Sequence, residues 1–269
     1  MQTMTTVFPP PEEVMRRSRL DCETRQSTEA SLLEIFGCSS PDLNHFLGDS
    51  SHLRFFEEHW QSLPEYDQFL YARACEALGH PHLPHELCWF HCTRVPASTA
   101  FGEGILPLGR VLPQLKEALL ATLDDPGAKR EVDQAFARQG GFGFHFGNKL
   151  KNSLHWGPYA IFVREVASYA NALGQHDYLG MPEIIEDLCE DVQFASGLDL
   201  LTIFQERWTP AVVKFVAPAG ASAECAVRVS LRYLQSCALE GRPGPGAVWC
   251  FDGKNTAVSP EQVLNVEFP

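Results

Sequence analysis

The sequence lacks any long apolar stretch. Nowhere do about 18 residues run without a charged side chain, so no segment predicts a transmembrane helix. Residues 1–11 also lack the basic start and the apolar core of a secretory signal peptide. These two absences favour a soluble, cytoplasmic protein that does not enter a membrane.

Basic residues are scarce. Lys and Arg together number 21, against 34 Asp and Glu, and the net charge is −13. An acidic surface repels the phosphate backbone of nucleic acids, so nucleic-acid binding is disfavoured unless a local basic groove forms. The nine cysteines are odd in number and scattered, which favours reduced, mostly buried thiols over a disulfide framework.

The usual signatures of catalysis and metal binding are missing as well. The sequence has no G-x-S-x-G elbow, no Walker loop, no G-x-G-x-x-G at a helix start and no H-E-x-x-H pair. Residues 80–92 hold six His and Cys side chains, but prolines separate the first three histidines, and neighbouring strand residues point to opposite faces. We therefore predict no metal site and, for the same reason, no nucleophilic pair of Cys92 with His91.

The residues that are present divide the chain into three parts. Residues 1–26 are polar and contain three consecutive prolines, which predicts a flexible leader. Helical periodicity fills residues 27–85, and a mixture of short apolar runs and helices fills residues 86–269. Because strands and helices do not alternate regularly, we predict an α+β fold with a mixed or antiparallel sheet.

The pattern of the third part predicts individual elements. The predicted strands cover residues 87–93, 142–146, 159–166, 211–216, 247–251 and 262–268. The predicted helices cover residues 111–123, 182–194 and 223–240.

Four short pieces follow one another in order within residues 87–269. They are His91-Cys-Thr93-Arg94, Gly104-Ile105, Gly141-Phe-Gly143-Phe144-His145-Phe146 with a following Ser153, and Val248-Trp-Cys-Phe-Asp252. In this order they resemble the poly(ADP-ribose) polymerase-like branch of the ADP-ribosyltransferases. That family has a strand-end His-Gly/Thr-Ser/Thr-Arg and then Gly-Leu/Ile. A Gly-x-Gly-x-Tyr-Phe with a Ser-Lys-Ser-Ala-like helix start follows, and a late strand reads Glu-Tyr-Ile-Val-Tyr-Asp.

The resemblance implies a split, antiparallel-rich α+β sheet around a cleft for NAD. It implies that the first two motifs bind this cofactor through His91, Cys92, Thr93, Arg94, Gly143, Phe144, His145, Ser153 and Tyr159. In the family, the first-motif His contacts the ribose, and the second-motif aromatic stacks on nicotinamide, a place taken here by His145. We therefore expect His91 and His145 on adjacent central strands that face one cleft.

The third motif departs from the family. Its catalytic glutamate should stand at or beside Ala247, where the sequence has no carboxylate. Glu240 or Glu261 would have to enter the cleft from a neighbouring segment and complete a catalytic set with His91 and His145. The resemblance then implies transfer of a single ADP-ribose unit to a protein or other macromolecule, as in bacterial toxins or effectors, without chain elongation.

Three other functions stay open at this level. The chain can be a catalytically silent member that binds NAD or another nucleotide, or an interaction protein without a ligand. A His-His-apolar triad also resembles the NAD-dependent RNA 2′-phosphotransferases. For that activity, Lys149, Lys151 and Arg164 would have to supply a local basic patch.

Overall fold

A computed structural model describes residues 18–138 and 144–269 of the chain. Within these ranges the protein has the α+β fold that the sequence predicts, with six strands in one mostly antiparallel sheet. The strands are β1 (Arg19–Leu20), β2 (Glu86–Val95), β3 (Tyr159–Ile161), β4 (Thr209–Pro218), β5 (Cys250–Asp252) and β6 (Val263–Glu267). The helices are α1 (Arg25–Phe36), α2 (Ser40–Gly48), α3 (Ser51–His59), α4 (Tyr66–Leu78), α5 (Leu108–Thr122), α6 (Pro126–Arg138), α7 (Phe144–Lys151), α8 (Glu183–Ser196), α9 (Leu201–Arg207) and α10 (Ala223–Glu240).

The sheet is organised around the long pair formed by β2 and β4. These strands run antiparallel in continuous register, from Glu86 opposite Pro218 to Val95 opposite Thr209. On the other side of β2 lie β3 and then β5, and β6 flanks β4, which gives the order β5-β3-β2-β4-β6. β1 pairs in parallel with the start of β2. The mixed character of the sheet is therefore confirmed.

Side chains of β2 alternate between the two faces of the sheet. Leu87 and Trp89 join the main hydrophobic core, which also contains residues of α1, α2, α4 and α10. Phe90 and Cys92 point the other way, into a smaller cluster. We name these sides the α10 face and the opposite face. By alternation, His91 belongs to the α10 face.

Helices α5 to α9 build a second core beside the sheet. Phe146 of α7 is fully buried in this core, and Leu150, four residues later, packs against it. This i, i+4 spacing places both side chains on one side of a helix. For that reason residues 144–146 are helical, and the strand predicted at 142–146 is wrong there; residues 142 and 143 lie outside the described ranges.

Two predicted strands are shorter than expected. β1 occupies the start of β2, and β3 ends at Ile161, opposite Phe90. The chain then leaves the sheet as a 3₁₀ turn, Arg164–Tyr169, where the strand predicted at 159–166 should continue. The strand predicted at 247–251 likewise starts late, since a 3₁₀ turn covers Pro245–Ala247 before β5.

The expected flexible leader is wrong for its last part. Leu20 and Cys22 are fully buried, and Thr24 caps α1 by accepting a hydrogen bond from the backbone of Ser27. The boundary expected at residue 86 does not coincide with a break in packing, because the N-terminal helices and the sheet share one core. In the described ranges, no helix combines the length and the apolar composition needed to cross a membrane.

Candidate functional site around His91

His91 lies near the C-terminal end of β2, and its tautomer is fixed by the neighbouring strand. Nδ1 of His91 lies 2.7 Å from the carbonyl oxygen of Tyr159. A carbonyl oxygen can only accept, so Nδ1 carries the proton and Nε2 is left as an acceptor. Burial lowers the pKa of His91 below its ordinary value, and the hydrogen bond to Tyr159 only partly offsets this effect. The imidazole is therefore neutral at neutral pH.

The neighbours of His91 on the α10 face are small. Val213 of β4 lies opposite His91, and the pairing of Phe90 with Ile161 places Ala160 on its other side. Phe251 of β5 is opposite Ala160 and completes this row of the sheet. His91 is consequently only half-buried, although β2 is a central strand.

The structure explains why Gly is followed by Ile at positions 104 and 105. Ile105 and Val258 exchange two backbone hydrogen bonds of 2.9 Å and are both buried in the main core. Gly104 has a φ of 77°, and a Cβ at this position would lie 2.1 Å from the carbonyl oxygen of Val258. Only glycine fits this approach of two chain segments, so the Gly-Ile pair serves to close a loop over the core.

Two of the pieces that carry the family resemblance lie one strand apart in the sheet. β2, with His91, pairs with β3, and β3 pairs with β5, which contains the end of Val248-Trp-Cys-Phe-Asp252. Beyond the strands, the backbone N–H of Phe162 donates to the carbonyl of Trp249 at 2.9 Å. The glycines of the expected second motif, Gly141 and Gly143, lie outside the described residues, and its remaining residues 144–146 belong to α7.

His145 does not join His91. It lies in the first turn of α7 with its side chain exposed, so the expectation of two histidines on adjacent strands is wrong. The physical reason is the burial of Phe146 in the second core, which directs His145 to solvent. Phe144 is 78% exposed, and Gly143 lies outside the described residues.

The residues after His91 divide between the two faces. Cys92 is buried on the opposite face, and burial raises the pKa of its thiol to about 12, which excludes a thiolate at neutral pH. Thr93 is half-buried on the α10 face, opposite Ala211. Arg94 donates to the carbonyls of Trp208, Leu179, Gly180 and Gln205 at 2.7–3.4 Å. The Arg94 guanidinium thus holds the end of α9 and the loop before α8.

Ser153 and Tyr159, the other residues that the resemblance assigned to NAD binding, lie at the protein surface. Ser153 is exposed in the 3₁₀ turn Ser153–His155. The Tyr159 hydroxyl donates to the carbonyl of Leu154 at 2.8 Å, while its backbone carbonyl holds His91. Burial, together with the charges of Asp252 and Glu183, raises the pKa of Tyr159.

No expected carboxylate approaches His91. Ala247 is 1% exposed, and a Cβ on the preceding Gly246 would lie 2.6 Å from Nε of Arg232, so this position is filled by packing. Glu240 is exposed at the end of α10, and Glu261 is exposed in the 3₁₀ turn Pro260–Gln262. Hydrogen bonds from the hydroxyl of Ser259 and from its own backbone N–H lower the pKa of Glu261. Burial, partly offset by the hydrogen bond to the Tyr159 carbonyl, accounts for the lowered pKa of His91.

A polar cluster that sequence analysis missed joins α7 to α8. Nζ of Lys149 lies 2.8 Å from Oε2 of Glu183 and 2.6 Å from Oδ2 of Asp187, and the Tyr178 hydroxyl donates to Oε1 of Glu183 at 3.1 Å. Burial alone would lower the pKa of Lys149, but the two carboxylates outweigh it and raise the pKa. The i, i+4 spacing of Glu183 and Asp187 is the signal that could have indicated one acidic side of α8.

Ion pairs also determine whether Lys149, Lys151 and Arg164 form a basic patch. Lys149 is neutralised by two carboxylates, and Nη2 of Arg164 lies 2.5 Å from Oε2 of Glu267. Of the three cations that an RNA substrate would require, only Lys151 is exposed and has no ion pair in the described part of the chain. A basic groove for a phosphate backbone is therefore not formed by these residues.

Two shallow depressions lie on helical parts of the surface. A shallow depression of about 460 Å³ is lined by α5 and α6, and another of about 360 Å³ by α2, α3 and α4. Neither is lined by a predicted site residue. In residues 18–138 and 144–269, no group of three or more His, Cys, Asp or Glu side chains is arranged to hold a metal ion.

Comparison with known proteins gives no further guide. No protein-family model matches the chain, and no curated protein or solved structure matches it.

Proposed function

We propose that the chain is an ADP-ribosyltransferase-like, NAD-binding protein that transfers one ADP-ribose unit to a macromolecular acceptor. The observation that carries the proposal is the adjacency of β2, β3 and β5, which are far apart in the sequence. β2 contains the first piece with His91, and β5 contains the end of the last piece, Val248–Asp252. β3, with the backbone carbonyl that binds His91, lies between them.

The chemistry that His91 can supply agrees with this function. Its neutral imidazole offers Nε2 as an acceptor for a hydroxyl group, such as one of a nucleotide ribose. Its ring is held by the Tyr159 carbonyl, and such preorganisation orients a substrate without further cost at the moment of reaction. With Ala247 at the third position, no group is present there to bind an acceptor ADP-ribose, so we propose single transfer and no polymer.

A second candidate function is favoured by the exposure of the two glutamates that were expected to complete the site. Glu240 and Glu261 are exposed at the end of α10 and in a separate 3₁₀ turn. A site without a carboxylate can bind NAD and leave the nicotinamide–ribose bond intact. This second candidate is a catalytically silent NAD-binding protein.

The two candidates are distinguished by adding NAD to the full chain. Thermal unfolding measures binding, and chromatography measures released nicotinamide. Release supports the transferase, and a raised melting temperature without release supports the silent binder. If NAD changes neither quantity, the NAD proposal is wrong.

Comparison of His91→Ala with His59→Ala tests whether His91 belongs to the NAD site. His59 is a fitting control because its Nδ1 also lies near a backbone carbonyl, that of Phe55 at 2.9 Å, but on exposed α3. Loss of one ground-state hydrogen bond costs about 0.5–1.5 kcal/mol in binding. Loss of an interaction that orients the transition state lowers the rate by about 10²–10³-fold. A folded His91→Ala protein with unchanged NAD binding and release would place the site elsewhere.

A further inference from the structure

Helix α3 leaves aromatic side chains at the surface. Leu53 and Phe56 of this helix pack against the main core, whereas Phe55 is 48% exposed. The Phe55 ring stacks on the ring of His59, with centroids 4.3 Å apart, and on that of Phe69 in α4, at 5.9 Å. Phe55, His59 and Phe69 thus form a connected aromatic surface, and exposed apolar surface of this kind often marks a binding site.

The aromatic surface continues into the depression of about 360 Å³ that α2, α3 and α4 line. His52 lies one turn before Phe55, and Arg73 lies one turn after Phe69, and both line this depression. The ring of His52 packs against that of Phe46 in α2, with centroids 4.9 Å apart. We name the depression and the aromatic surface together the α3–α4 groove.

Two carboxylates border the groove, and no cation pairs with them in the described part of the chain. Asp42 and Asp49 line the depression and accept hydrogen bonds from the hydroxyls of Ser39 and Ser51, at 2.5 and 2.8 Å. The hydrogen bonds from Ser51 lower the pKa of Asp49, which keeps this carboxylate ionised. Nε2 of His52 lies 3.9 Å from Asp49, but burial lowers the pKa of His52, so its neutral ring does not balance the charge.

The cation that lines the depression is already paired. Arg73 forms an ion pair with Glu76 in the same helix, so it balances neither Asp42 nor Asp49. The groove is therefore negatively charged at neutral pH, in agreement with the net charge of −13 of the whole chain. Opposite charge on a partner would speed its association and fix its position in the groove.

The length of the groove suits a segment of polypeptide chain. From His52 to His59 it runs about 10 Å along α3, the length of about three residues of extended chain. Lys and Arg side chains combine an apolar stem with a cationic end, and a cation is attracted to the face of an aromatic ring. A Lys or Arg next to an apolar residue therefore matches both the carboxylates and the aromatic surface.

We propose that the α3–α4 groove binds a basic segment of a partner protein. A Lys or Arg of this segment lies in the depression between Asp42 and Asp49, and an apolar neighbour packs on Phe55. The inference goes beyond the proposed function, since neither His91 nor NAD takes part in it.

The test measures peptide binding to the full chain in the absence of NAD. Fluorescence anisotropy compares a synthetic peptide of Lys and Leu with a Glu and Leu peptide and with a Lys and Ser peptide. We expect the Lys and Leu peptide to bind most tightly, and less tightly at high salt. Asp42→Asn combined with Asp49→Asn should weaken its binding at least about tenfold. Both changes remove charge but keep an oxygen that accepts the serine hydrogen bonds.

A matched control exists for the change of charge. Asp199, at the start of α9, accepts a backbone N–H from Leu201 at 3.1 Å and the hydroxyl of Thr202 at 3.0 Å, much as Asp49 accepts both groups of Ser51. Asp199→Asn should leave peptide binding unchanged. Asp49→Asn alone should weaken it severalfold.

The aromatic surface is tested by Phe55→Ser, which should weaken binding of the Lys and Leu peptide severalfold. Phe268→Ser is its control, since Phe268 is 46% exposed directly after β6, and it should have no effect. Circular dichroism and thermal unfolding verify that each variant is folded.

Four results would overturn the proposal. They are the absence of peptide binding, equal binding of the Lys and Leu and the Glu and Leu peptides, binding that survives loss of both carboxylates, and equal effects of Phe55→Ser and Phe268→Ser. Tighter binding of a polyamine, lost in the Asp42→Asn, Asp49→Asn protein, would replace the protein segment with a small cation. A dimer that dissociates in the Phe55→Ser protein would identify a second copy of the chain as the occupant.

Discussion

Arg25, the first residue of α1, forms a two-point ion pair with Glu165 in the 3₁₀ turn after β3. Nη2 of Arg25 lies 2.6 Å from Oε1 of Glu165, and Nε lies 3.0 Å from Oε2. The hydroxyl of buried Tyr233 donates to the same carboxylate at 2.6 Å, and Arg25 also donates to the carbonyl of Gly241. A single carboxylate thus connects the N-terminal helices, the turn after β3 and α10.

Replacing this carboxylate should destabilise the whole molecule. Glu165→Gln keeps the shape of the side chain but removes the charge that binds Arg25 and Tyr233, so we expect a loss of about 1–3 kcal/mol in the free energy of unfolding. Urea denaturation measures it. The control is Glu76→Gln, which removes the exposed ion pair with Arg73 on α4 and should change stability by less than about 1 kcal/mol. Equal effects of the two changes would contradict the role of Glu165.

The stabilisation from Glu165 should depend on pH in a defined direction. The hydrogen bond from Arg25, aided by that from Tyr233, lowers the pKa of Glu165 below the ordinary value of an unfolded glutamate. A lowered pKa in the folded state gives stability that is full above the unfolded pKa of about 4.3 and is lost as pH falls through the folded pKa. The difference in unfolding free energy between the unaltered chain and Glu165→Gln should therefore shrink below about pH 4. A difference that stays constant down to about pH 3 would show that the charge is not its source.

Gly104→Ala should be costly for two separable reasons. Its φ of 77° disfavours a side chain, and its Cβ would meet the Val258 carbonyl at 2.1 Å. Gly37 has a similar φ of 63° with no atom within 4 Å of such a Cβ, so Gly37→Ala isolates the backbone cost, about 1 kcal/mol. We expect Gly104→Ala to exceed Gly37→Ala by at least about 1 kcal/mol in chemical denaturation. If the two substitutions lower the free energy of unfolding equally, the segments at Gly104 and Val258 accommodate the added methyl group without strain.

Arg94 should act on stability and not on NAD directly. Its guanidinium serves four backbone carbonyls, so Arg94→Ala should cost about 2 kcal/mol or more, and Arg94→Lys should recover only part because an ammonium lacks the planar fork. Arg207→Ala is the control, since exposed Arg207 pairs with Asp124, and should cost less than about 1 kcal/mol. An Arg94→Lys protein of unchanged stability that no longer responds to NAD would instead support the cofactor contact implied by the family resemblance.

The sequence predicted the helices and strands whose apolar residues pack into the main core. The strands around Trp89 and Phe215 and the helix α10 were found because their apolar residues pack against the main core. The segment with His145 was misassigned because three phenylalanines between glycines also fit a strand. The helical choice depends on Phe146 and Leu150 meeting a second core made by distant residues.

The candidate site was only partly predictable. His91 was identified by its motif, but its tautomer depends on the Tyr159 carbonyl, a contact that needs β3 at a particular register. The ion pairs of Lys149 with Glu183 and Asp187 join helices separated in the sequence, and local pattern carries no information about such pairing. For the same reason the sequence could not show that Lys149 and Arg164, which an RNA substrate would require in a basic patch, each pair with a carboxylate from another element.

The antiparallel pair of β2 and β4 has a consequence for the order in which the chain folds. Val95 and Thr209 face each other at one end of this pair, yet residues 96–208 lie between them. Closing so long a loop costs chain entropy before any contact of the pair repays it, and folding is slow where such distant contacts dominate. The helices α5 to α9 and their core, up to its last buried residue Trp208, all belong to that intervening stretch. These helices can fold first and so bring the ends of β2 and β4 together. We therefore expect the central sheet to form late in folding, after residues 96–208 have folded.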